Sequence, residues 1–168
     1  MQLDGYFIRA ALAEHEAAVQ KLFEADPNYF EIVQGAPPGP AEFQNTITEL
    51  APGKSYEDKF VYCVLSANKN IVAVIDIIQN YPEDGIWFVG LLFVARGERG
   101  QGLGSRLVDA ICTHISKQGG RAARIAVADK NTRAIRFWER AGFSTLYSAK
   151  RERAQSTSLL LHVMERAL

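Results

Sequence analysis

Three features of the sequence predict a mixed α/β (α+β) domain. There are three consecutive β-rich runs on short connectors, a glycine-rich loop that gives way to a regularly spaced apolar helix, and a strand–helix–strand–strand order after it. The connectors, Ala67 to Asn70 and Tyr81-Pro82-Glu83-Asp84-Gly85, are short enough to join Phe60 to Leu65, Ile71 to Gln79 and Ile86 to Val94 as an antiparallel meander. No internal repeat and no linker interrupts the pattern, so residues 1–168 are expected to form one domain.

Taken in order, a short strand from Tyr6 to Ala10 precedes a helix from about Ala13 to Ala25, which Asp26-Pro27 stops. From Pro27 to Pro52 the chain reads as irregular. Within it Tyr29, Phe30, Ile32 and Val33 suggest one or two helical turns, and Gly35-Ala36-Pro37-Pro38-Gly39-Pro40 suggests a stiff turn. A short helix from about Ala41 to Leu50 leads into the meander. After Val94 a helix runs from Gly102 to about Gln118, with Leu103, Leu107, Ala110, Ile111 and Ile115 at helical spacing and Gly119-Gly120 at its end. A strand from Ala123 to Ala128, a helix from about Thr132 to Ala141, and strands near Phe143 to Tyr147 and Thr157 to Met164 complete the chain.

Composition narrows the function classes. With 48% hydrophobic and 23% charged residues the chain is an ordinary globular protein, and its formal net charge of zero gives no global field toward nucleic acid or a membrane. Any anion site must be local. No apolar run approaches the ~20 residues a bilayer requires, and Met1 to Arg9 lacks the pattern of a secretion signal. Cys63 and Cys112 both lie in apolar runs, which predicts two reduced, buried thiols and a cytoplasmic protein. His15, His114 and His162 lack ligand spacing, so no metal is expected.

The chemistry concentrates in Arg96-Gly97-Glu98-Arg99-Gly100-Gln101-Gly102-Leu103-Gly104, between a strand and a helix. Glycines let a backbone approach a ligand closely, and the free N–H groups and positive end of a helix attract phosphate oxygens. Arg99 and Arg96 could add charge-assisted hydrogen bonds there, and Arg106 could steer a phosphate. A plain strand-to-helix turn with solvated arginines is the other reading. No Gly-Lys-Ser/Thr follows for a nucleoside triphosphate, the spacing is not Gly-x-Gly-x-x-Gly, and at least three strands precede the loop, so neither common nucleotide loop fits.

Arg99-Gly100-Gln101-Gly102-Leu103-Gly104 resembles the Arg/Gln-x-x-Gly-x-Gly/Ala signature of the GNAT-type N-acetyltransferase superfamily. Further on, the segment from Asn131 to Phe143 is similar to that family's Asn-x-x-Ala helix, with its aromatic pair Phe137-Trp138 and Gly142-Phe143 turn. The resemblance implies a mostly antiparallel mixed sheet of six to seven strands with helices on both faces, splayed between its fourth and fifth strands to admit the pantetheine arm of acetyl-CoA. It implies that Leu92, Phe93 and Val94 line that arm and that Arg99, Gly100, Gln101, Gly102, Leu103, Gly104 and Ser105 hold the pyrophosphate. Asn131, Arg133 and Phe137 would be further contacts, although Asn131 also reads as an N-cap.

The implied reaction is direct attack of a neutral amine on the thioester, with a backbone N–H near Leu92 to Val94 stabilising the oxyanion. Proximity can supply about 7 to 11 kcal/mol, so weak acid–base groups suffice. Where many relatives have a tyrosine that protonates the departing thiolate, this chain has Trp138, whose indole is far too weak an acid. Tyr147 and Tyr81 are the nearest substitutes by sequence, with water a third route. Glu83, Asp84 or Asp76 could act as base, Asp76 being a lone carboxylate in an apolar run that faces either solvent or the site. The acceptor would be held by Pro27 to Pro52, Tyr81 to Trp87 and Ser148 to Ser156, with Lys150-Arg151-Glu152-Arg153 read as a solvated hairpin tip. A small-molecule primary amine is the expected acceptor. A protein lysine or N-terminus, and a CoA-binding module without turnover, are the alternatives. The family's habit of pairing through sheet edges implies a homodimer.

Overall fold

The meander forms where the short connectors allow it. In a computed structural model of the chain, which describes residues 1–152 and 158–168, Lys59–Leu65 (β2), Ile71–Ile78 (β3) and Ile86–Val94 (β4) pair antiparallel in turn. Phe7–Ala10 (β1) extends this half on the β2 side. Ala122–Ala128 (β5) joins β4 in parallel, and Ser158–Ala167 (β7) pairs with β5 and with the edge strand Ser144–Glu152 (β6). The sheet therefore has seven strands in the order β1-β2-β3-β4-β5-β7-β6, antiparallel except at β4–β5. Lys150, Arg151 and Glu152 belong to β6 and not to a loop tip, because an edge strand can pair its backbone while side chains such as those of Lys150 and Arg151 stay in solvent. Arg153 to Thr157 lie outside the described residues, so the remainder of that tip and the expected start of the last strand are not described.

Helices cover both faces. They are Glu16–Glu24 (α1), Pro27–Gln34 (α2), Glu42–Thr48 (α3), Leu103–Lys117 (α4) and Thr132–Arg140 (α5). The segment after Asp26 is more regular than its sequence suggests. The first helix ends just before Asp26-Pro27 as expected, and Pro27 then begins a second one, at the position where its missing N–H is harmless, which Gly35 ends with φ +87°.

Strand alternation sorts the core into two layers. Ala73, Ile75 and Ile77 of β3 meet Leu103, Leu107, Ile111 and Ile115 of α4 together with Ala123, Ile125 and Val127 of β5. On the opposite face Cys63, Val74 and Phe93 meet Val19 and Phe23 of α1, Phe30 of α2 and Phe43 of α3. The second layer is built on ring contacts: Phe23 lies 5.1 Å from both Phe30 and Phe93 in edge-on geometry, and Tyr29 lies 5.2 Å from Phe93. Both cysteines are free and buried, as expected. Among the described residues no helix is long and apolar enough to cross a membrane.

Gly120 shows how tight the first layer is. A Cβ there would sit 2.4 Å from Ile115 Cγ2 and 2.8 Å from the Trp87 ring. Gly120→Ala should destabilise the protein by about 1–3 kcal/mol through overpacking, measured by urea unfolding. At Gly119 a Cβ would meet nothing within 4 Å, so Gly119→Ala should lose no more than the roughly 1–2 kcal/mol of its left-handed backbone.

Candidate active site

The β4–β5 ladder runs from Ile86↔Ala122 through Phe88↔Arg124 and stops, although β4 continues to Val94 and β5 to Ala128. A bulge lies just beyond the last pair. Ile77 opposes Val89 and Asp76 opposes Leu91, which leaves Gly90 as an extra residue in β4, and a bulge bends its strand and increases the local twist. The two strands part there and open a gap. Ala95 N donates to Val72 O at 2.8 Å, so by antiparallel alternation the pairs Ala73/Val94 and Ile75/Leu92 turn their N–H and C=O groups away from each other. The main-chain groups of Leu92 and Val94 consequently face the gap. Phe93 does the reverse, bonding toward β3 and sending its ring into the aromatic layer.

Beyond Val94 the chain makes a 3-10 turn at Arg96–Glu98 and enters α4 through Gly100 and Gly102, with φ of +80° and +82°. A Cβ at either glycine would meet nothing within 4 Å, so the turn is open in front. The first helical bond comes from Arg106 N to Gly102 O, which leaves the N–H groups of Leu103, Gly104 and Ser105 without partners inside the helix. Gly104 serves packing: a Cβ there would lie 3.2 Å from the Phe137 ring of α5. Gln101 donates to Gly97 O at 2.9 Å and braces the turn. Asn131 is the N-cap of α5, its Oδ1 accepting from Ala134 N at 3.1 Å, and Arg133 is exposed on the first turn of that helix.

Two arginines do not stand where the sequence suggests. Arg106 donates to the Asp4 carbonyl, and its guanidinium lies 5.5 Å from the centre of the Tyr6 ring. Arg99 turns away from the open side of the glycine turn. Its Nε donates to Val94 O at 2.8 Å, its Nη2 lies 2.5 Å from Asp26 Oδ2, and its Cζ is 5.4 Å from the centre of the Phe93 ring. The reason is electrostatic, since Asp26 is only 7% exposed and a buried carboxylate requires a cation.

Asp76 does not face solvent. It is 8% exposed, and both its oxygens accept from Lys59 Nζ, at 2.9 and 2.8 Å. Burial raises its pKa above 3.8, and the nearby Glu49 adds to the rise, while the Lys59 hydrogen bond and charge oppose it. Its position bears on the gap. A Cβ on Gly90 would lie 2.8 Å from Oδ2, yet Gly90 itself is exposed, so the carboxylate sits just beneath open surface at the bulge. Across the gap Ala126 is also exposed and lies on that same face, opposite Ile125 and Val127, so small residues flank both sides.

Glu83 sits at the closed end of the gap, 3.5 Å from Arg121 and 3.4 Å from Arg124, which Glu165 holds in turn at 2.7 Å. Tyr81 packs edge-on against Phe88 at 5.7 Å near that end. Tyr147 is not at the gap: it is 53% exposed on the edge strand, and β7 separates it from β5. Its place in a strand near the second motif gave a sequence neighbourhood, not a spatial one. Trp138 belongs to the core, its ring 4.9 Å from Phe143. Sequence reasoning missed Asp26 and Lys59 as site residues, while Tyr29 lies in the segment expected to hold the acceptor. Burial pushes the Tyr29 phenol up to about 12, with the Arg99 charge opposing.

Beside the gap α2, the end of β5 and the β6–β7 pair border a half-open cavity of about 370 Å³. Asn28, Glu31, Asp129, Lys130, Lys150 and Leu160 are among its walls. It thus presents carboxylates, ammonium groups and apolar surface together. Among the described residues no cluster of His, Cys, Asp or Glu has the form of a metal site.

Comparison with known proteins agrees with this geometry. A family model described as the Acetyltransferase (GNAT) family matches residues 19–143. Among solved structures, a GCN5-related N-acetyltransferase from Kribbella flavida is 19% identical, with TM-score 0.71 over 98% of this chain and 99% of that one. An acetyltransferase from Thermus thermophilus is 18% identical, with TM-score 0.75 over 100% of both chains. A spermidine N-acetyltransferase from Vibrio cholerae, solved in complex with CoA and spermine, is 14% identical, with TM-score 0.76 over 98% of this chain and 96% of that one. At these identities the likeness is one of fold. No curated protein sequence matches the chain.

The Lys59–Asp76 pair yields a test by titration. Lys59→Met removes both influences that hold the Asp76 pKa down, so the carboxyl midpoint followed by carbon-13 NMR should move further up. Leaving that charge buried should destabilise the neutral-pH protein by about 3–5 kcal/mol. A raised acid pKa means that the folded state holds the proton more tightly than the unfolded chain. The loss should therefore shrink as pH falls through the folded-state midpoint toward 3.8.

Proposed function

The chain belongs to the GNAT acetyltransferase family, and on that premise we propose that it is an N-acetyltransferase moving the acetyl group of acetyl-CoA to the primary amine of a small molecule. One observation carries this reading: the gap between β4 and β5, with the main chain of Leu92 and Val94 turned into it, leads directly to the open glycine turn at the head of α4. An extended arm can pair with Leu92 and Val94 as an added strand, and the N–H groups around Gly102, Leu103, Gly104 and Ser105 can take a pyrophosphate. Asn131 at the head of α5 and Phe137, whose ring lies against Gly104, would be further contacts, with Arg133 exposed to add charge.

Acetyl-CoA supplies the acetyl group as a thioester. The N–H of Leu92 or Val94 donates to the carbonyl oxygen as negative charge develops on it. Asp76 takes one proton from the incoming ammonium, and the amine attacks without a covalent enzyme intermediate. The second nitrogen proton leaves as the C–S bond breaks, and water carries it to the departing thiolate, since the Trp138 indole is packed into the core. Asp76 is preferred over Glu83 as base on position alone: both carboxylates have cationic partners, but Asp76 lies beneath the exposed Gly90 at the bulge, whereas Glu83 sits at the closed end of the gap.

The cavity of about 370 Å³ supports a small acceptor over an extended peptide. Structural neighbours include both kinds, a spermidine N-acetyltransferase and a ribosomal-protein-S18-alanine N-acetyltransferase. Two buried free thiols support a cytoplasmic setting. The edge strands β1 and β6, with Phe7 and Leu146 exposed, offer surfaces for a homodimer.

Acetyl-CoA at a hundredfold excess over its Kd should raise stability by about 2.7 kcal/mol, read as an upward shift in melting temperature. Gly102→Glu, which places an acid in the open turn, should abolish that shift. Free thiol release against a panel of amines should name the acceptor class, and no shift in the wild type would sink the assignment. Asp76→Asn should lower kcat/KM by about 10²–10⁴-fold. In the wild type activity should fall as pH drops through the raised Asp76 pKa, an acid limb that Asp76→Asn lacks.

A further inference from the structure

Arg99 opens the glycine motif in sequence, yet in space its head group turns from the open front of the glycine turn toward the end of β4 and α2. Nε donates to Val94 O, Nη2 meets Asp26, and the guanidinium lies over Phe93. Asp26 is equally informative. It is the N-cap residue of α2, and aspartate there ordinarily accepts from the first N–H groups of its own helix. Asp26 makes no such side-chain bond. Its carboxylate is nine-tenths buried and points at Arg99, where Nη2 lies 2.5 Å from Oδ2 off the line a hydrogen bond requires. The contact is thus one of charge.

The place of α2 makes this pair consequential. Tyr29 and Phe30 pack against Phe93 of β4, while Asn28 and Glu31 line the cavity with Asp129 and Lys130 beyond the end of β5. The helix therefore spans the two strands that part, on the side away from α4, and forms a wall of the acceptor cavity. Its anchor at the N-terminal end is the Arg99–Asp26 pair.

We infer that Arg99 is a positioning residue for the acceptor, fixing α2 across the gap through Asp26 and Phe93, and is not a ligand of the pyrophosphate. The inference rests on the acetyltransferase reading given above. Three considerations carry it. Moving the guanidinium to the glycine turn would leave Asp26 buried without a cation. The turn offers an anion main-chain N–H groups and a helix end that do not depend on Arg99. The Val94 carbonyl has two lone pairs, so the Arg99 bond leaves one for an arm in the gap.

The test separates the two substrates. In the full-length protein Arg99→Gln and Asp26→Asn are compared with wild type for CoA affinity by calorimetry, and for acceptor KM with whichever amine supports thiol release. Both variants should bind CoA within about threefold of wild type while the acceptor KM rises by about ten- to a hundredfold, the scale of a misplaced substrate. Arg99→Lys, which keeps the charge opposite Asp26 but loses the Val94 bond, should fall between, and it replaces Arg99→Gln if the latter does not fold. Hydrogen exchange supplies a readout independent of turnover: the amides of α2 should exchange faster in the variants, and those at the head of α4 should not. A loss of CoA affinity beyond about tenfold in Arg99→Gln but not in Asp26→Asn would make Arg99 a phosphate ligand and overturn the inference. So would an unchanged acceptor KM, or faster exchange at the α4 turn. Failure of the wild type to bind CoA would instead remove the acetyltransferase reading, while the exchange experiment would still decide whether Arg99 anchors α2.

Discussion

The parting of β4 from β5 after the Phe88–Arg124 pair is the constraint on which the rest depends. Parallel strands this close would ordinarily continue their ladder, because an unpaired main-chain group is costly wherever water cannot reach it. Here Gly90 breaks the β3–β4 register, and a Cβ at that position would press on Asp76 Oδ2 at 2.8 Å, so a larger residue would have to displace the carboxylate. Each strand is then held by its own packing. β5 packs on α4 through Ile125 and Val127, while β4 is held from both faces, by Val89, Leu92 and Val94 in the α4 layer and by Phe93 in the ring cluster of α1 and α2. The gap opens where the β4–β5 ladder ends and the Gly90 bulge begins.

Charge in this protein is local, as a net charge of zero requires. The two carboxylates buried on the α1–α3 side are each paired across elements: Asp76 of β3 with Lys59 of β2, and Asp26 of α2 with Arg99 of the glycine turn. Such pairs contribute little net stability, because desolvation offsets most of the Coulomb attraction. Their effect is on position. Removing either partner leaves a charge without compensation, so each pair fixes the geometry of the strands or helix that it joins at the edge of the gap.

Much of the fold was legible because its signals are local. Alternating apolar residues in Ile71 to Gln79, helical spacing from Leu103 to Ile115, and the short connectors of the meander specify elements and neighbours without long-range information. The Asn131 cap was legible for the same reason, with Ala134 three residues on. What was not legible depends on pairing between distant segments. Nothing within ten residues of Asp76 announces Lys59, and Tyr29 gains its environment from Phe93 and Arg99, far along the chain. Tyr147 failed in the opposite sense, near the second motif in sequence but carried to the sheet edge by the order β5-β7-β6.

The motif from Arg99 to Gly104 reads as one device in sequence and divides into three in space. Gly100 and Gly102 take positive φ with open space before them, so they set the backbone conformation of the turn and leave its front unobstructed. Gly104 has ordinary helical backbone and is small because Phe137 lies against it, so it sets the distance between α4 and α5. Arg99 faces the opposite direction and joins the turn to α2. A short spacing pattern can thus persist in a sequence for separate physical reasons at each position. Identity with the pattern predicts where a ligand's anion will lie more securely than it predicts which side chains will touch that anion.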